Sequence, residues 1–150
     1  MKIERPILLT AVATVLASVL FAASATELVA QSAGTLDGTW TAVSAERNGT
    51  PADDVKGHRL TFARNTFVIE REGKTLYKGT FKTDPAKKPA QIDFVQTEGQ
   101  DKGKTWRGIY LVEGDTLRTN DNAPDISKPR PTQFTTAPGS GYVLVVFKRG

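Results

Sequence analysis

From Thr39 onward the chain is cut by turn-forming residues into short stretches in which apolar and polar side chains alternate. Alternation with a period of two marks strands with one buried face, and no stretch beyond Leu36 sustains the longer period of a helix. Tight turns return each strand beside the last, so such a chain folds as an antiparallel barrel or sandwich. In Thr39 to Arg47, the first stretch, Trp40, Ala42 and Ser44 are expected on one face and Thr41, Val43 and Ala45 on the other. Asn48-Gly49 ends it, because both residues tolerate the positive φ of a hairpin turn. Ala52 to Lys56 suits a short helical turn.

The next stretch, His58 to Phe62, sets His58, Leu60 and Phe62 to one side, and Phe67 to Glu72 follows beyond Asn65. Gly73-Lys74 turns the chain into Thr75 to Lys82, with Tyr77, Gly79 and Phe81 facing in and Leu76, Lys78, Thr80 and Lys82 facing out. Ile92 to Val95, Trp106 to Val112 and Thr116 to Thr119 continue the series, and Asn120 to Pro131 reads as an ordered, irregular loop. Thr132 to Thr135 is expected to pair briefly at an edge. Tyr142 to Lys148 is the most hydrophobic strand, expected to be buried on both faces and, in a closed barrel, to pair with the first strand. Sequential tight turns favour an all-β, antiparallel up-and-down barrel of about eight strands.

The N-terminus carries a different signal. Lys2 and Arg5 precede an uncharged run from Ile7 to Ala23, and Ala23-Ser24-Ala25 supplies the small-x-small pattern that signal peptidase accepts. Residues 1–25 therefore read as a signal peptide, residues 26–35 as a flexible leader, and residues 36–150 as the domain, placed in the periplasm or outside the cell. The alternative is an uncleaved membrane anchor, since the run approaches the roughly 17-residue lower limit for spanning a bilayer.

Of 20 basic and 16 acidic residues, cleavage would remove Lys2, Arg5 and Glu4, leaving 18 against 15. That excess is too mild and too scattered for a nucleic-acid binder, which concentrates Lys and Arg on one face. The chain has no cysteine, which excludes disulfides, a thiol nucleophile, a cysteine zinc site and a lipoprotein anchor. An exported domain without disulfides rests on its core alone, and about 115 residues suffice. A bacterial envelope fits this better than a eukaryotic secretory route.

One group of short motifs, in order, carries a resemblance. Leu36-x-Gly38-x-Trp40, Lys78-Gly79-Thr80-Phe81, Ile92-Asp93-Phe94, Gly114-Asp115-Thr116-Leu117-Arg118, Arg130-Pro131-Thr132 and Pro138-Gly139-Ser140-Gly141 span most of the domain. Together they resemble an uncharacterised bacterial family of lipocalin-like domains. The resemblance implies a lipocalin-like β-barrel in which Gly38-x-Trp40 opens the first strand and Lys148 or Arg149, near the end of the last, packs across the indole. It brings no established ligand or reaction. Related members carry Leu-x-x-Cys where this chain has Leu117-Arg118-Thr119-Asn120.

Catalytic constellations are weak. His58 is the sole histidine, no serine sits in Gly-x-Ser-x-Gly, and Glu70 and Glu72 are expected to point to water. Asp53-Asp54 and the acidic and amide residues from Asn120 to Asp125 lack the glycine and terminal glutamate of a calcium loop. The sequence therefore reads as a binding module and not an enzyme, with no cofactor. Tyr77, Phe81, Phe94, Trp106 and Tyr110 are the candidates to line a site for a small apolar or amphipathic ligand, since aromatic residues from neighbouring strands would form an apolar calyx. The competing expectation is a barrel filled by its own side chains. In that case the loops 83–89, 99–104 and 120–131, with Lys87-Lys88 and Lys102/Lys104, would contact an envelope protein or polymer.

Overall fold

The computed structural model describes residues 36–150, so the expected signal segment and leader lie outside the described residues. Nine strands run in chain order: β1 (Gly38–Arg47), β2 (Thr50–Pro51), β3 (Arg59–Ala63), β4 (Thr66–Arg71), β5 (Lys74–Asp84), β6 (Ala90–Gln96), β7 (Thr105–Glu113), β8 (Thr116–Asp121) and β9 (Val143–Arg149). A single 3-10 turn, Asp53–Val55, is the one helical element among the described residues. All pairings are antiparallel: β1 pairs with β2 and β3, from β3 to β9 each strand pairs with the next in sequence, and β1 also pairs with β9. The result is a closed eight-stranded up-and-down barrel, with the two-residue β2 folded back on the end of β1. Closure removes the sheet edges that an open all-β sheet would otherwise expose.

Two irregularities change which residues face inward. A bulge in β1 between Ala42 and Ser44 leaves Val43 outside the ladder, 46% exposed, and brings Ala45 opposite Val145. The inner face is thus Trp40, Ala42 and Ala45, where simple alternation predicts Ser44. A second shift, between Ile69 and Glu70, opposes Ile69 to Tyr77 and Glu70 to Thr75, so Leu76 is left out of register. Such bulges bend a strand and re-aim its side chains.

The last strand is less buried than its hydrophobicity suggests. Val143, Val145 and Phe147 are buried and the intervening Leu144 and Val146 are half-buried, so β9 has one core face and one partly covered face. Thr132 to Thr135 forms no strand. This segment belongs to a long connection from β8 to β9 that is pinned across the outside of β6, β7 and β8. The Asn120 amide donates to the carbonyls of Gln133 and Thr135 at 2.7 and 2.9 Å. Asn122 accepts from the Arg107 N–H through Oδ1 and donates to the Lys128 carbonyl through Nδ2. Arg130 donates to the carbonyls of Ile92 and Gly108 and pairs with Asp93 at 2.7 Å. Satisfying buried backbone and amide groups in this way is what allows a loop to lie against a sheet without cost.

One end of the barrel is solid. Trp40, fully buried, donates from Nε1 to the Leu36 carbonyl at 2.8 Å, and the Arg149 guanidinium stacks 4.0 Å from its ring. Gly38 approaches the same arginine: a Cβ there would lie 3.4 Å from it, at a φ of 121° that disfavours any side chain. Of the two basic residues implied for this packing it is Arg149 that makes it, while Lys148 donates instead to the Thr116 hydroxyl. Above the indole the aromatic rings pack edge to face. Phe62 meets Phe81 at 4.7 Å and Phe67 meets Phe94 at 5.0 Å between centroids.

Candidate functional site

The other half of the barrel is hollow. A cavity of about 690 Å³ opens between the ends of β1, β3, β4, β5, β7, β8 and β9, within the size range of small-molecule sites. Phe94, Leu60 and Phe147 form its floor, because each also packs into the solid half below. Ile69, Trp106, Val143 and Val145 make the wall. Leu76, Tyr77 and Ile126 stand at the mouth, 38%, 36% and 40% exposed. Among the described residues only four large hydrophobic side chains are this exposed, and three of them ring this opening; the fourth is the bulged Val43.

The five aromatic residues expected to line a ligand site all face the barrel interior, yet they separate by depth. Tyr77, Phe94 and Trp106 line the cavity, with Tyr77 edge-on to Trp106 at 5.1 Å. Phe81 does not: it packs on Phe62 in the solid half. Tyr110 is also absent from the wall, because its partner in register is Ala90, at the closed end, where burial raises its hydroxyl pKa. Alternation along a strand tells inside from outside but not distance along the barrel axis, which is set by the register of all eight strands.

The polar residues of the site escape a reading by residue type. β8 runs two residues beyond the expected Thr119, so Leu117, Thr119 and Asp121 follow one another up the inner face. Asp121 is 7% exposed and lines the cavity, with Oδ1 accepting from the Ala123 N–H at 2.9 Å. Room for its side chain comes from Gly108, opposite it on β7, where a Cβ would fall 2.7 Å from the Asp121 Cβ. Burial pushes the Asp121 carboxyl from its ordinary 3.8 up to about 7. The signal that could reveal it is the extension of the 117, 119 alternation by one more step.

Further charges sit around the opening. Arg47 forms a two-point pair with Asp54 at 3.2 and 2.9 Å, which holds the Asp54 carboxyl below its usual range. Arg71 donates to the Asp54 carbonyl at 2.7 Å, and Lys104 pairs with Asp101 at 2.6 Å. His58 also lines the cavity; desolvation, and secondarily the positive Arg71, hold its pKa below the ordinary value. Ala123 to Ile126 form a lip that follows directly from Asp121.

The loops expected to make partner contacts do not share a face. Loops 99–104 and 120–131 begin at the cavity end, following β6 and β8. Loop 83–89 joins β5 to β6 at the opposite, solid end, so a partner reading both Lys87-Lys88 and Lys102/Lys104 would have to span the barrel. No protein-family model, curated protein or solved structure matches this chain.

Proposed function

We propose that the protein is an exported carrier of a small amphipathic molecule, held in the open half of the barrel. The observation that carries this reading is the cavity of about 690 Å³ whose floor is apolar, whose wall joins Ile69, Trp106, Val143 and Val145 to the polar Thr119 and Asp121, and whose mouth gathers three exposed hydrophobic side chains. Exposed apolar side chains collected at one opening mark an interaction site, whereas scattered ones do not. The charged rim suits the polar end of the same molecule. Export rests on the uncharged run Ile7 to Ala23 and the Ala23-Ser24-Ala25 site.

The test is a titration with Nile red, an uncharged fluorophore that brightens in apolar surroundings. The protein should take up one equivalent. Val145→Trp places an indole in the hollow from a wall position that is 6% exposed. It should weaken uptake by about tenfold or more, equivalent to about 1.4 kcal/mol, while the far-ultraviolet spectrum stays that of the parent. An unchanged affinity in Val145→Trp, or no uptake by the parent protein, would count against the reading.

A further inference from the structure

We infer that the cavity selects ligands bearing a protonated amine, with the Asp121 carboxylate and the Trp106 ring as the two groups that recognise it. This rests on the carrier reading and specifies its ligand class.

Asp121 is more than nine-tenths buried, in the wall of the cavity. Its Oδ1 accepts the Ala123 N–H, and among the described residues the carboxyl takes no second hydrogen bond. Among the described residues it forms no ion pair, although the cavity carries three basic side chains. Arg47 is held by Asp54, Lys104 by Asp101, and Arg71 by the Asp54 carbonyl, all at the rim. A carboxylate taken out of water without a cation is unfavourable, so the cavity presents an acceptor that a bound cation would complete.

The choice of a cation over a neutral donor comes from what lies beside the carboxylate. Asp121 is opposite Gly108, and Trp106 is the next inward residue on β7. Diagonal neighbours of this kind are about 7–8 Å apart at Cα, within reach of an aromatic side chain. Gly108 has no side chain to separate them. A primary ammonium bound between them has a carboxylate oxygen and an indole ring within reach, both of which favour positive charge. The apolar remainder of the ligand then lies along Phe94, Val145 and Phe147.

The experiment compares three probes of equal chain length, decylamine, decanol and decanoate, by calorimetric titration of the intact protein at about pH 8, where an alkylamine is still protonated. Decylamine should bind at least about tenfold more tightly than decanol, with decanoate weakest. Asp121→Asn keeps an oxygen for the Ala123 N–H and should abolish the preference for the amine over the alcohol. The comparison among probes on the unaltered protein does not depend on that variant folding. Equal binding of amine and alcohol, or a preference for decanoate through Arg71, would overturn the amine assignment and leave the carrier reading standing. Failure of all three to bind would overturn both.

Discussion

Trp40→Ala should destabilise the protein by about 3–5 kcal/mol, the range for emptying a fully buried large aromatic site. Trp40 is wholly inaccessible, its Nε1–H is spent on the Leu36 carbonyl, and its ring carries the Arg149 guanidinium at 4.0 Å. Truncation creates a void in the solid end and strips the arginine of its stacking partner, a contact worth about 1 kcal/mol by itself. Thermal unfolding should fall by at least about 10 °C. Trp106→Ala supplies the contrast. That ring already faces the hollow, so its removal enlarges an existing cavity instead of opening a new one, and the loss should be smaller by at least about 1 kcal/mol. Equal losses in the two variants would mean that the two ends are packed alike.

The second large effect is on the pH dependence of stability, and it comes from Asp121. In the folded protein its carboxyl titrates at about 7 against the ordinary 3.8, because burial disfavours the charge. A raised folded-state value means that the native state holds a proton the unfolded chain has released. Stability from this group is therefore full below about pH 4, declines through the interval up to about pH 7, and is constant above it. The size is of order 4 kcal/mol, at about 1.4 kcal/mol per pH unit. Other ionisable groups face the cavity: His58 just before β3, Arg47 and Arg71 with Asp54, Asp101 with Lys104, and Asp125 on the lip. They remain in Asp121→Asn, so the difference between the two unfolding curves isolates Asp121. That difference should shift in favour of the variant by several kcal/mol between about pH 4 and pH 8. A flat difference would show that water reaches the carboxyl.

The barrel itself was legible because its causes are local. Alternation in Tyr77 to Lys82 and in Trp106 to Val112, turn residues at Asn48-Gly49, Gly73 and Gly114, and Gly38-x-Trp40 at the first strand survive in the structure, while Lys74 already belongs to β5 and Leu76, expected outside, stands at the cavity mouth. What was not legible depends on register between strands distant in sequence. Phe81 and Tyr77 look equivalent on one strand, yet one packs on Phe62 and the other stands at an open mouth. The bulges at Val43 and Leu76 are likewise set by partners, β9 and β4, that no local window contains. Asp121 was read as loop because it follows Asn120 in a polar run. In the structure the outward amide of Asn120 secures the outer loop while the inward carboxyl of Asp121 enters the cavity.

The half-solid, half-hollow interior also resolves the contest between a filled barrel and a calyx. Both descriptions hold, each for one end. Phe62, Phe67 and Phe81 fill the end closed by Trp40, and Phe94 is the boundary, packed on Phe67 below and exposed to the hollow above. A rigid floor under an open mouth fixes the depth to which a ligand can enter, so chain length as well as head group should set affinity.

The most direct test of the carrier account is native mass spectrometry of the protein purified without denaturation from the organism that encodes it. The account predicts a reproducible extra mass that is released on unfolding and is absent from Val145→Trp. A clean mass of the polypeptide alone, unchanged after exposure of the protein to its own lipid and metabolite extract, would contradict it.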